Sequence, residues 1–224
     1  KMSNGLISLC KQRGVKFVNG RARFLDGNNL IINDKDRLSF DHCILATGSQ
    51  PICPPLFSEI GDRILTSTSA LELEEVPEHL LVVGGGYIGL EMGTVYSSLG
   101  SQVSVVEMTG DLLTGVDRDL VRPLFARLQS QFHNIYLNTK VVSCELKNNR
   151  IAVQFEGDVE TSSYDRILVA VGRKPNTKDI GLESTGVKTD GHGFIQVDAK
   201  FQTDESSIFA IGDVIGGAML AHKA

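Results

Sequence analysis

The stretch LLVVGGGYIGLEMG (80–93) sets Gly84, Gly86 and Gly89 in the spacing G-x-G-x-x-G, directly after an apolar run and at the opening of a helical pattern. That spacing suits a diphosphate. The first glycine permits a tight strand-to-helix turn, the second lets backbone approach a pyrophosphate with no Cβ in the way, and the third lets the helix pack close on the strand. The helix start adds N–H donors and a partial positive charge. Glu107 closes the next apolar run, QVSVVE, where a carboxylate can accept from both hydroxyls of an adenosine ribose. The same carboxylate repels a 2′-phosphate, and no Lys or Arg occurs from 108 to 117 to hold one, so the pattern predicts NAD rather than NADP. The alternative reading is a plain glycine-rich turn with Glu107 as a surface carboxylate. Glu91, one turn into the helix, is either a partner of the helix dipole or a cofactor contact.

These residues need a strand–glycine–helix–strand frame. HLLVV, YIGLEMGTVYSSLG and QVSVVE supply it as a βαβ unit. A helix is expected over 117–131, capped by Asp117, with a kink or a late start at Pro123. Strands are expected near 135–138, 141–146, 150–155, 160–164 and 166–172. Upstream, KMSNGLISLCKQRG reads as the back half of an amphipathic helix. VKFV (15–18), RARFL (21–25), NLIIN (29–33) and DHCILAT (41–47) read as short strands separated by turns at Asn19-Gly20, Asp26-Gly27 and Asp34. SQPICPP (49–55), with its prolines, reads as a linker, and 66–73 as a short capped helix. GFIQVD and SIFAIGD read as strands near the end.

Composition narrows the partners. The net charge is −5, and no Lys/Arg cluster occurs, which argues against nucleic acid and anionic membrane. No apolar run approaches a spanning helix, and the first residues lack a signal-peptide pattern. Cys10, Cys43, Cys53 and Cys144 form no C-x-x-C, and the five histidines are scattered, so reduced, mostly buried thiols in a cytoplasmic protein are expected, without metal.

Two further segments combine with the first. ILATGSQP (44–51) and SIFAIGDVIGGAMLAHKA (207–224) each read as a strand ending in a small-residue turn. In order, ATGSQP, GGGYIGLE, VVE, VGRKPN and FAIGD resemble the flavoprotein disulfide reductases that bind two dinucleotides. Within that family GLEMGTVY, NTKV and MLAHKA resemble the branch that oxidises dihydrolipoamide for 2-oxo acid dehydrogenase complexes. The resemblance runs through essentially the whole chain.

The resemblance implies an α/β fold. A Rossmann-like NAD-binding domain, with a parallel sheet, helices and a small antiparallel β-meander, is inserted into a partial FAD-binding domain. The implied boundaries are 1–50 and 174–224 for the FAD-binding part and 51–173 for the NAD-binding part. Gly84, Gly85, Gly86, Tyr87, Ile88, Gly89, Glu91, Glu107, Val141 and Gly172 match NAD contacts, with Glu91 near the nicotinamide. Gly20, Thr47, Gly48 and Ser49 match positions near the flavin nucleotide. Asp213 matches a ligand of a ribityl hydroxyl, and Met219, Leu220, Ala221 and His222 match a helix start facing the flavin pyrimidine. The implied partners are the 2-oxo acid dehydrogenase complex, its lipoyl domains and a second copy of the parent protein.

Three family features have no counterpart in these residues: the first G-x-G-x-x-G that grips FAD, the C-x-x-x-x-C redox pair, and the interface domain with its His–Glu acid/base pair. The chain is therefore expected to hold no catalytic residue, to be inactive on dihydrolipoamide by itself, and to bind FAD weakly or not at all. Tyr87 departs from the aliphatic residue usual in that branch and is similar to the tyrosine that lids the flavin in glutathione reductases. The alternatives are another flavin disulfide reductase or NADH oxidase, and a stand-alone NAD-binding regulatory module.

Overall fold

A computed structural model describes residues 2–72, 74–157 and 159–223. The chain divides into two compact units, Lys1–Ser49 with Pro175–Ala224, and Gln50–Lys174.

The Gln50–Lys174 unit is built on a five-stranded sheet in the order Ile64–Leu65, Arg166–Val169, His79–Val83, Gln102–Val106, Asn134–Tyr136. Every pairing in it is parallel. Parallel strands are covered on both faces, which is why these runs are almost continuously apolar. Side-chain alternation sends Leu80, Val82, Val103, Val105 and Leu168 to one face. There they meet Leu90, Met92 and Tyr96 of the helix Tyr87–Ser98 and Val121 and Leu128 of the helix Arg118–Gln131. Leu81, Val106, Ile167 and Val169 face the other way, onto Val141, Ile151, Val153, Phe155 and Tyr164. Those residues come from an antiparallel meander of Val141–Lys147, Arg150–Phe155 and Ser162–Tyr164.

Tyr96 is the largest fully buried side chain, and its hydroxyl donates to the Ala70 carbonyl at 2.9 Å. Tyr96→Phe leaves that carbonyl buried without its donor. The substitution is expected to lower stability by about 1–3 kcal/mol, read as an earlier urea midpoint with an unchanged slope.

The Lys1–Ser49 and Pro175–Ala224 unit carries the helix Met2–Gln12 and an antiparallel sheet of Ala22–Asp26, Asn29–Ile32 and Asp36–Ser39. A second sheet pairs Cys43–Leu45 with Ile208–Ala210 in parallel. Its core is Phe24, Leu45, Leu182, Ile195, Ile208, Ala210 and Val214.

Several local expectations are corrected. Residues 15–18 form no strand, and Phe17 is 78% exposed. Their β-branched and aromatic types meet no partner strand to pair with. The opening helix exists, yet Leu6, Ile7 and Leu9 are exposed rather than packed. The expected linker at 49–55 contains a strand, Ser49–Pro51, hydrogen-bonded to Arg173–Pro175, and leads into the 3-10 segment Pro55–Arg63, which buries Phe57 and Ile60. The expected helix at 66–73 is a 3-10 turn at Ser69–Leu71, with residue 73 outside the described residues; Thr66 and Ser69 cap each other through their hydroxyls. The helix after Asp117 starts at Arg118 and runs through Pro123, held by the packing of Val121 and Leu128. Asp117 caps it with its backbone carbonyl, which accepts from Leu120 and Val121, not with its carboxylate. GFIQVD forms only a single bridge, Thr189 to Ile195.

No helix among the described residues is long and apolar enough to cross a membrane. Among the described residues no group of three or more His, Cys, Asp or Glu is placed to hold a metal ion. The cysteines are unpaired, and they lie shallower than expected: Cys53 is exposed and the other three are half-buried.

Candidate functional site

The strand His79–Val83 ends at the carboxyl edge of the parallel sheet, the edge where ligands bind in open α/β sheets. Gly84 turns the chain there with φ +110°, and its N–H donates to the Val106 carbonyl of the neighbouring strand at 2.9 Å. A Cβ at Gly84 would lie 2.4 Å from the Ala170 carbonyl oxygen, and one at Gly89 would lie 2.2 Å from the Gly84 oxygen. These two glycines close the turn and seat the helix.

Gly86 differs from both. It is the N-cap of Tyr87–Ser98, extended at φ −79° and ψ 174°, and no side chain among the described residues caps that helix start. Nothing lies within 4 Å of the position its Cβ would take. The space over Gly86 and the helix start is therefore open, polar at its base and lacking any carboxylate cap, which suits an anion.

Glu107 is half-buried beside this turn. Its Oε2 accepts from the Gly85 N–H at 2.7 Å. Its Oε1 accepts from the Thr109 N–H at 2.8 Å and from the Thr109 hydroxyl at 2.9 Å. The loop is tied down further by Leu113 N–H donating to the Gly85 carbonyl at 2.9 Å. Arg118 is the first cation after the 108–117 stretch, and its guanidinium is occupied by the carbonyls of Leu112, Leu113 and Val116 and by Asp111 at 3.4 Å. It is thus held by the loop's own oxygens.

The other residues singled out by sequence lie as follows. Tyr87 is 39% exposed at the helix start, Ile88 packs against the helical core, and Glu91 is exposed. Val141 is buried in the meander-side core. Gly172 is exposed with φ +127°, and its carbonyl accepts from Ile52 N–H at 3.0 Å.

In the other unit, Cys43–Leu45 and Ile208–Ala210 end side by side, so the turns that follow them meet. Ser49 Oγ donates to Asp213 Oδ2 at 2.6 Å. Asn176 holds the same turn, donating from its side chain to the Thr47 carbonyl and from its backbone to the Gly48 carbonyl, each at 2.9 Å. Gly48 has φ +69° with open space at its Cβ position. Gly20 packs against Ile32 and Asn33. Met219 has φ +47°, Leu220 is half-buried, and Ala221–Lys223 form a single 3-10 turn with His222 exposed.

Burial pushes the thiols of Cys43 and Cys144 up, and the Glu59 charge adds to the effect at Cys144. Neither is set up as a thiolate nucleophile.

Sequence reasoning singled out the turn and its acid. It missed Thr109 and Asn176, since each acts through a hydrogen bond that only the folded chain creates; a hydroxyl two residues after the acid was the one available signal at Thr109.

The pyridine nucleotide-disulphide oxidoreductase profile matches residues 1–224. A dihydrolipoyl dehydrogenase of Vibrio parahaemolyticus is 44% identical over all of this chain and 48% of the relative's length. One from Geobacillus stearothermophilus is 39% identical, with the same coverage. The chain therefore spans about half the length of the curated relatives it matches. Among solved structures, the HOCl-induced flavoprotein disulfide reductase RclA of Escherichia coli, as its Cu(II) complex, superposes with a TM-score of 0.90 at 28% identity, over 99% of this chain and 50% of that one. LpdA of Mycobacterium tuberculosis superposes with a TM-score of 0.89 at 27% identity, over 100% and 50%. The α/β fold is thus that of the two-dinucleotide-binding flavoproteins, and the profile covers the parallel sheet, the glycine turn and the Ser49–Asp213 pair alike. This chain belongs to the pyridine nucleotide-disulphide oxidoreductase family.

Proposed function

We propose that the Gln50–Lys174 unit binds NAD(H) in preference to NADP(H), and that the Lys1–Ser49 and Pro175–Ala224 unit forms part of a flavin site. The observation that carries the first half is the pairing of Glu107 with the Gly85 N–H beside the open space over Gly86. A diphosphate fits over Gly86 and the helix start, and Glu107 is then placed to accept from an unphosphorylated ribose. Glu91 is assigned to the nicotinamide side of the same site, and Tyr87, Ile88, Val141 and Gly172 to further contacts with the nucleotide. In the flavin site the Asp213 carboxylate, positioned by Ser49, accepts from a ribityl hydroxyl, with Gly20, Thr47, Gly48 and 219–222 around it.

The relatives named dihydrolipoyl dehydrogenase extend the reading. The protein in which this chain works oxidises dihydrolipoamide and reduces NAD⁺, as a cytoplasmic homodimer serving a 2-oxo acid dehydrogenase complex. Bound flavin and nicotinamide supply the hydride chemistry; the residues described above hold and orient them.

The test is titration of the chain with NADH and with NADPH, followed by nicotinamide fluorescence and calorimetry. Saturable NADH binding about ten- to a hundredfold tighter than NADPH is expected from one lost charge-assisted bond and one added repulsion. Equal affinity for the two, or no binding of either, overturns the proposal.

A further inference from the structure

Glu107 does not stand alone at the mouth of the turn. Thr109 bonds to it twice, through its N–H and through its hydroxyl. The hydroxyl has one proton and three oxygens in reach: Glu107 Oε1 at 2.9 Å, the Asp111 carbonyl at 2.9 Å and Thr114 Oγ at 3.2 Å. Of these, only the Thr114 hydroxyl can donate in return. A charged acceptor takes the shared proton in preference to a neutral carbonyl. The arrangement is then a short relay, in which Thr114 donates to Thr109 and Thr109 donates to the carboxylate.

The backbone under this relay is clamped. Glu107 N–H donates to the Tyr136 carbonyl at 2.8 Å, Thr139 N–H to the Glu107 carbonyl at 3.0 Å, and Asn138 N–H to the Thr109 carbonyl at 2.9 Å. These bonds continue the parallel pairing of Gln102–Val106 with Asn134–Tyr136 past the end of both strands. Position 109 is thus fixed by backbone, while the residue itself is exposed.

We propose that Thr109 is a positioning residue for cofactor selectivity: its hydroxyl holds one oxygen of Glu107 so that the carboxylate faces the ribose in a single orientation. The inference rests on the NAD reading above. Without the hydroxyl, Oε1 keeps only the Thr109 N–H and Oε2 only the Gly85 N–H; the carboxylate then swings over a wider range, bonds a diol less well and rejects a 2′-phosphate less sharply, so NADH weakens while NADPH is spared.

The test measures dissociation constants of NADH and NADPH for the chain and for Thr109→Val, Thr109→Ser and Thr114→Val. Thr109→Val keeps the shape and the N–H and removes only the hydroxyl. It is expected to weaken NADH about three- to tenfold with NADPH unchanged or slightly tighter, while Thr109→Ser stays within about twofold of the parent. Thr114→Val, which removes the return donor and leaves position 109 intact, is expected to move the ratio the same way by a smaller step. Parallel weakening of both nucleotides in Thr109→Val marks a merely structural role and overturns the inference. So does an unchanged ratio, or a serine variant that behaves as the valine one does. If the parent chain discriminates and the valine variant discriminates equally, this inference alone fails; if the parent binds neither nucleotide, the NAD reading fails first.

Discussion

Replacing Glu107 with alanine is expected to weaken NADH by on the order of ten- to a hundredfold while leaving NADPH within a few-fold of its parent value, so that the preference between them largely disappears. Each hydrogen bond to a charged group contributes about 1.5–3 kcal/mol, and a factor of ten corresponds to about 1.4 kcal/mol. Two ribose hydroxyls lose their acceptor in the variant. NADPH loses nothing comparable, because it was held despite the carboxylate rather than by it. The Gly85 N–H, on a buried residue, also loses its acceptor, so the variant is expected to lose about 1–3 kcal/mol of stability as well. Glu107→Gln separates the two roles: it keeps an acceptor for Gly85 and drops the charge, so it is expected to recover part of the NADH affinity without restoring rejection of NADPH. Calorimetric titration of both variants with both nucleotides decides the matter. A Glu107→Ala chain that still favours NADH by the parent ratio removes the ribose role from this residue.

The glycines of the turn separate a cost in folding from a cost in binding. Gly89→Ala puts a methyl carbon 2.2 Å from the carbonyl oxygen of the half-buried Gly84 and 3.0 Å from Cγ1 of the fully buried Val82. Backbone oxygen cannot swing aside as a side-chain tip can, so a loss of about 3 kcal/mol is expected, with NADH binding lost along with the fold. Gly86→Ala meets nothing within 4 Å, at a φ of −79° that alanine adopts freely. Its stability cost is that of a poorer N-cap, about 1 kcal/mol or less. Its methyl, however, occupies the space assigned to the diphosphate, and NADH affinity is expected to fall by at least about tenfold. Thermal unfolding and NADH titration of the two variants read the contrast directly. A Gly86→Ala chain that binds NADH as the parent does would place the diphosphate elsewhere.

The central βαβ unit was legible because three signals agree within thirty residues: a wholly apolar strand, a glycine spacing, and a second strand closed by an acid. Each signal there is local. The failures were of another kind. Ser49–Pro51 carries proline and two polar side chains, so nothing in its types announces a strand; it becomes one only because Arg173–Pro175 lies beside it. Residues 15–18 have strand-forming types and no partner, and stay unpaired. Composition sets what a segment can do, and pairing across long separations decides what it does. The same division runs through the site. Gly84, Gly86, Gly89 and Glu107 could be chosen by spacing, whereas the bond between Ser49 and Asp213, 164 positions apart, could be anticipated only by resemblance. That Glu107 is gripped by Gly85 and Thr109 had only a hydroxyl two residues after the acid to announce it, since the bonds depend on where two loops end.

The segment from Gln50 to Lys174 begins on one strand of a hydrogen-bonded pair and ends on the other, with Ile52 N–H donating to the Gly172 carbonyl at 3.0 Å. Its two ends are neighbours before any host chain is considered. A piece with adjoining termini imposes almost no extra closure entropy on whatever it interrupts. Joining it head to tail, or splicing it into a foreign surface turn, would by this geometry stretch neither side.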